Sequence, residues 1–150
     1  MVRMLDDKDW KIINVLKEHA DYTTRQISKK TLLPISTVHH RIRRLKKERV
    51  IKRFTVELDH VKTGSSFLAY ILISANLGIL KQKKKTQYDL AKEIKKMPFV
   101  ENADIVTGTT DLVAVIRVRD VHEFDRVLLS RIQMIEGIEK TQSLTVIHHI

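Results

Sequence analysis

Cysteine is absent from these 150 residues. That excludes disulfides, thiolate catalysis and Cys-based zinc sites. It also removes any dependence on an oxidising compartment, which fits the cytoplasm. Proline occurs twice and glycine four times, and Pro34, Pro98, Gly64 and Gly108 each mark a break described below. Aromatic residues make up 5%, too few to expect the exposed base-stacking surface of RNA-binding modules. The longest apolar stretch, LAYILISANLGIL at 68–80, falls short of the ~20 residues that a bilayer span needs. The N-terminal MVRMLDDKDW has no apolar leader core. Enzyme signatures are missing as well: no Gly-rich phosphate loop, no HExxH and no nucleophile elbow. Scattered Ser, His and Asp residues do not make a triad without geometry. His39–His40 and His148–His149 are poor chelates, because adjacent side chains on a helix or strand point in different directions. The expectation is a soluble, cytoplasmic non-enzyme that needs neither metal nor cofactor and does not enter a membrane.

Positive charge is what the chain has in excess. Its formal net charge is +10, and the excess is unevenly placed. Residues 1–60 hold 15 Lys and Arg against 8 Asp and Glu, whereas residues 61–150 hold 13 against 10. Between 35 and 53 there are eight basic residues and one acid, Glu48. A local cluster of that density is the footprint expected for a polyanion partner.

Hydrophobic periodicity divides the chain into an N-terminal domain at 1–60 and a C-terminal domain at 65–150. The first third reads as three helices. Asp6 caps the first, with Asp9 in its first turn, and Trp10, Ile13 and Leu16 line a stripe widened by Ile12 and Val15. A second, short helix from Thr24 to Lys30 buries Ile27. The third starts at Pro34, which a first helical turn tolerates, and runs to Glu48. Residues 51–58 (Ile51, Phe54, Val56, Leu58) read as β-rich, and Asp59–Ser66 as a linker containing Gly64. Beyond it lie a strand at Phe67–Leu77, a Lys-rich loop at Gly78–Thr86 and a helix at Gln87–Met97 stopped by Pro98. Strands follow at Val100–Thr107 and Asp111–Val118, then a helix at Val121–Ile135 and a strand at Ile138–Ile147. The fold class is α+β: a helix-turn-helix domain, then a ferredoxin-like βαββαβ (ACT-like) domain. Both faces of the first strand of that domain are apolar. The face away from the helices (Leu68, Tyr70, Leu72 or their alternates) is expected to be covered by a second subunit.

In a helix-turn-helix the last helix enters the major groove of double-stranded DNA. At about 100° per residue, Val38, Ile42 and Leu45 of the third helix fall together and face the core. Ser36, His40, Arg43, Arg44 and Lys47 fall on the other side. Short polar groups suit base edges and long cations suit phosphates. Ser36, Thr37 and His40 are therefore assigned to bases, and Arg43, Arg44 and Lys47 to phosphates. Lys52 and Arg53 reach the flanking backbone, and Arg41, beside the core stripe, is expected in a structural ion pair.

This arrangement resembles the Lrp/AsnC family of leucine-responsive and asparagine regulators, also called feast/famine regulators. The resemblance covers nearly the whole chain. It rests on LDDKDWKIINVL at 5–16, STVHHRIRRLKKERVIKRF at 36–54 and GTTDL at 108–112, in that order before and within the βαββαβ pattern. It implies a sequence-specific transcriptional regulator that is a homodimer, often assembled into tetramers or octamers, with sheets paired face to face. It also implies a free amino acid as effector, bound where dimers meet, near a Gly-x-Tyr-Asp loop. Here Thr110 stands where the family commonly has Tyr, and Arg49 where it has Gly after the recognition helix. The candidate effector residues are Gly108, Thr110, Asp111, Thr141 and Ser143. Each has a plainer reading: Gly108 as a turn glycine, Asp111 as a turn cap, Thr141 and Ser143 as edge-strand polarity. Lys81–Lys85 is either a solvated run or a secondary contact to wrapped DNA. The rival to an effector-responsive regulator is a ligand-independent, architectural DNA-binding protein. The dimer would set the distance between two recognition helices and so favour half-sites one or two DNA turns apart.

Overall fold

The computed structural model describes residues 4–148 and divides the chain into two units, Met1–Glu57 and Leu58–Ile150. The first unit is built from α1 (Asp7–Glu18), α2 (Thr24–Thr31) and α3 (Ile35–Lys47). Each of the first two opens on a capping box, in which a side chain and a backbone amide satisfy each other across one turn. Asp6 Oδ1 accepts from the Asp9 amide at 3.0 Å, and Asp9 Oδ2 accepts from the Asp6 amide at 3.2 Å. Thr23 and Gln26 repeat the device at α2. Ile12, Leu16, Ile27 and Val38 form the small core, with Val15, Tyr22, Leu33, Ile42 and Ile51 packed around it. Leu45 is buried on the same face of α3.

The turn between α2 and α3 is tight. Leu32, the C-cap of α2, is left-handed at φ 56°, a conformation that costs an L-residue ~1–2 kcal/mol. The Ser28 hydroxyl donates to the Leu33 carbonyl and holds the turn shut. Pro34 is the N-cap of α3 rather than its first residue.

The second unit is a four-stranded antiparallel sheet of order β2-β3-β1-β4. Its elements are β1 (Phe67–Ala75), α4 (Leu77–Gln82), α5 (Gln87–Lys95), β2 (Val100–Ile105), β3 (Leu112–Val118), α6 (Val121–Val127) and β4 (Ile138–Thr145). This is the ferredoxin-like order. In-register partners such as Ile71↔Ala114 and Ile73↔Leu112 put alternate residues on one face. Ala69, Ile71, Ile73, Leu112, Ala114 and Ile116 pack there with Leu90 and Ile94 of α5 and Phe124 and Val127 of α6. The other face carries Tyr70, Leu72, Val113, Val115 and Leu144, of which Tyr70 and Leu144 are exposed.

Other expectations are corrected as well. Trp10 is 51% exposed, because the inner face of α1 is Asp9–Ile12–Leu16; a buried aspartate takes the place given to the indole. Residues 51–58 form no strand, and Phe54, Val56 and Leu58 are exposed; an alternating pattern becomes a strand only where a neighbour supplies hydrogen bonds. The Lys-rich 78–86 segment is not all loop. Asn76 Oδ1 accepts from the Ile79 amide at 3.0 Å and starts α4, which buries Leu80. The helix expected through Ile135 is α-helical only to Val127. It then widens into a π turn over Leu128–Ile132, closed by the Gln133 amide donating to the Leu128 carbonyl. Finally, β1 ends at Ala75 and β4 at Thr145.

Candidate nucleic-acid interface and ligand turn

The position of α3 in its unit is fixed by charge as well as by apolar packing. Asp9 is buried, with 1% of its side chain exposed. Arg41 Nη1 donates to Asp9 Oδ1 at 2.8 Å and to Asp6 Oδ1 at 2.6 Å. Arg44 Nη2 donates to Asp9 Oδ2 at 2.5 Å. A carboxylate removed from water demands such partners, so these contacts clamp α3 to the start of α1. The Arg41 guanidinium, helped by the Asp9 amide, lowers the Asp6 pKa to about 2. Arg44 Nε is buried without a hydrogen-bond partner, with Glu48 Oε2 3.9 Å away.

Arg41 therefore sits in a structural ion pair. Arg44, grouped by the helical wheel with the outward cations, is instead turned towards Asp9. Its angular position lies on the flank of the helix, within reach of either side, and the buried Asp9 carboxylate, which needs a partner, draws it inward. Ser36, His40, Arg43 and Lys47 remain exposed along one stripe, and Thr37 is half-buried beside it. No acid within salt-bridge distance faces Arg43 or Lys47 among the described residues. Lys52 and Arg53 are exposed on the extended segment after α3. Arg49 is exposed and left-handed at φ 56°, so it occupies the C′ conformation that favours glycine. Arg25, Lys29 and Lys30 of α2 are also exposed. The sequence signals them only as three cations within six residues.

In the second unit the β2–β3 turn brings Gly108, Thr110 and Asp111 to the end of β1. Gly108 is at φ 131° with nothing within 4 Å of where a Cβ would stand; conformation, not space, requires glycine. The Thr110 hydroxyl donates to the Ile73 carbonyl at 2.8 Å. Asp111 Oδ2 accepts from the Ala75 amide and Oδ1 from Gln87 Nε2, both at 2.8 Å. Both carboxylate oxygens are thus engaged, tying the turn to β1 and α5. Gln87 lies 24 residues from Asp111 in sequence, so no local spacing points to it. Thr141 pairs with Ile73, and Ser143 with Ile71. Thr141 is therefore near the same sheet end, where its hydroxyl accepts from Gln133 Nε2 at 2.7 Å. Ser143 lies two residues further along and is exposed. Of the Lys81–Lys85 run, Lys83 pairs with Glu136 and Lys85 with Glu93.

The His39 and His40 rings meet edge to face at 6.0 Å. Among the described residues no three His, Asp or Glu side chains are grouped to hold a metal; His149 lies outside the described residues. No described helix is long and apolar enough to cross a membrane.

Residues 5–52 match the family model for winged helix-turn-helix DNA-binding, and residues 69–150 match that for the Lrp/AsnC ligand binding domain. The chain is 35% identical over 144 residues to the HTH-type transcriptional regulator FL11 of Pyrococcus furiosus, spanning 96% of this chain and 90% of that protein. It is 32% identical over 139 residues to an uncharacterized HTH-type transcriptional regulator of Pyrococcus horikoshii, spanning 93% and 84%. Among solved structures its fold is similar to that of E. coli AsnC, with a TM-score of 0.83 at 19% identity over 98% of this chain and 95% of that one. It is also similar to a transcriptional regulator from Neisseria meningitidis solved as an L-Met complex, with a TM-score of 0.87 at 24% identity over 98% and 92%.

Proposed function

Because the chain belongs to the Lrp/AsnC family of helix-turn-helix transcriptional regulators, we propose that α3 occupies the major groove of double-stranded DNA, that the C-terminal unit joins two or more copies, and that a free amino acid modulates the assembly. The observation that carries the DNA reading is the sorting of cations on α3. The two that face α1 are held by Asp6 and Asp9. The stripe Ser36–His40–Arg43–Lys47 is exposed and free of acids. Ser36, Thr37 and His40 read base edges. Arg43, Lys47, Lys52 and Arg53 neutralise phosphates. Arg44 acts through Asp9, by holding the helix, rather than on phosphate.

Self-association rests on two apolar surfaces. One is the sheet face of Tyr70, Leu72, Val113, Val115 and Leu144. The other is the extended stretch 54–58, whose alternate apolar side chains are exposed. Amino-acid sensing rests on the ligand-domain match and on the L-Met complex of the Neisseria regulator, with Gly108, Thr110, Asp111, Thr141 and Ser143 as its residues. A ligand-independent architectural role is the second reading. It is favoured by the internal engagement of Thr110 and of both Asp111 oxygens.

DNA binding is tested by fluorescence anisotropy on short duplexes across a salt series. Four phosphate contacts per chain give a log–log slope of about −3.6 for each chain bound to the duplex, and Arg43→Ala makes it shallower by about one per bound chain. A slope near zero refutes the assignment. A thermal-shift screen of the twenty amino acids separates the two regulatory readings, because a ligand of the native state raises its melting temperature. No rise with any of them selects the architectural role.

A further inference from the structure

A groove of about 610 Å³ lies between α5 and β2, on the edge of the sheet that β2 forms. Its floor is Ala91, Ala103 and Ile105, its rim is Tyr88, Lys92 and Lys95 of α5 with Lys96 at the helix C-cap, and Asp104, which accepts from Asn102 Nδ2, lines the strand side. The rim residues follow helical spacing, so they stand in one row over the strand. β2 leaves hydrogen bonds open beside them. The Val106 amide donates inward to the Asp111 carbonyl at 2.8 Å. Antiparallel ladders alternate. Asn102 and Asp104, in register with Val115 and Val113, therefore bond to β3, and Ala103 and Ile105 turn their amides and carbonyls outward. The Lys95 ammonium already takes one outward carbonyl, that of Glu101. Lys92 and Lys96 have no acid within salt-bridge distance among the described residues, and Tyr88 is 71% exposed.

We propose that this groove docks an extended, acidic peptide segment of a partner protein, which adds to β2 as a fifth strand. Strand addition supplies affinity through main-chain hydrogen bonds, and adjoining pockets supply specificity. Two complementarities point to this occupant. The open amides and carbonyls of Ala103 and Ile105 need an extended backbone, and Lys92 and Lys96 have no acid of their own among the described residues. The lengths agree: Tyr88 to Lys96 spans about 12 Å of helix, matching about four residues of strand at ~3.3 Å each. Small floor residues let a backbone approach closely. The three lysines on the helical side outnumber Asp104 on the strand side, so the groove is net cationic and favours an acidic occupant.

The test uses the full chain and a labelled, N-acetylated Val-Glu-Val-Glu-Val-Glu peptide, read by anisotropy and by amide shifts in two-dimensional NMR. Saturable binding is expected, with shifts concentrated at Ala103–Ile105. It should weaken at least tenfold in K92E/K96E, and at least tenfold when the central Val of the peptide is replaced by Pro, which cannot donate its amide. Four results overturn the proposal. The Val-Glu peptide fails to bind folded protein. The Pro peptide binds equally well, leaving charge alone. A short DNA duplex displaces the peptide, making the lysines a phosphate surface. K92E/K96E lowers the oligomer mass by light scattering, making the occupant a second copy.

Discussion

Replacing Asp9 by Asn isolates the clamp beneath the recognition helix. The substitution keeps shape and the capping acceptor but removes the charge that Arg41 and Arg44 share. Arg41 keeps Asp6 at 2.6 Å. Arg44 keeps only Glu48 at 3.9 Å, with its Nε already unsatisfied. Breaking a buried pair by removing one member costs ~3–5 kcal/mol. The arginine side chains retain 18% and 27% exposure, so water recovers part of the loss and the expected cost is about 3 kcal/mol. For a unit of this size each kcal/mol lowers the melting temperature by ~4–8 °C, so the helical transition should fall by about 12–24 °C. Calorimetry or circular dichroism at 222 nm measures it, and repeating the melts in high salt tests burial, because buried pairs are weakly screened. DNA affinity should fall with it, since α3 loses its anchor to α1. A decrease below about 4 °C, or a difference that vanishes in salt, would show that solvent rather than the ion pair satisfies these groups and would refute the reasoning.

The depressed Asp6 pKa gives a signed pH dependence. The group is held at about 2 when folded, against an ordinary value of 3.8, so its stabilisation is complete above the unfolded value and is lost as pH falls from there through about 2. Acid melts of Asp6→Asn should be flatter across that window; parallel curves would sink the idea. Leu32→Gly should stabilise the first unit by about 0.5–1 kcal/mol, as relief of left-handed strain outweighs glycine's entropy and little burial is lost at 90% exposure. A lower denaturation midpoint would count against it. Gly137→Ala should destabilise the second unit by about 2–4 kcal/mol, because its Cβ would stand 2.4 Å from Leu80 Cδ2 at φ 99°. An unchanged urea midpoint would mean that Leu80 moves aside freely. Arg53→Ala, if that side chain contacts phosphate, should lower affinity for all duplexes alike and flatten the salt slope by about one.

Local chemistry made much of this protein legible in its sequence. The cap at Asp6, the apolar face of Val38, Ile42 and Leu45, and the strand–helix order of the second unit each depend on residues close in the chain. Spacing alone reports such features, because helix and strand have fixed periods. Arg41 was assigned to an ion pair by the same geometry. What the sequence could not settle depends on partners distant in the chain. Arg44 looked like an outward cation until Asp9, 35 residues earlier, drew it inward. Asp111 reads equally as a turn cap or a ligand contact, and spacing gives no sign that Ala75 and Gln87, 36 and 24 residues away, donate to its two oxygens. Trp10 and Asp9 exchanged the places that hydrophobicity gives them, because two guanidiniums make a buried carboxylate tolerable. Residues 51–58 carry the pattern of a strand, but no strand within the unit pairs with them. Periodicity specifies which way side chains point, and only the tertiary structure decides which buried charges and backbone groups find a partner.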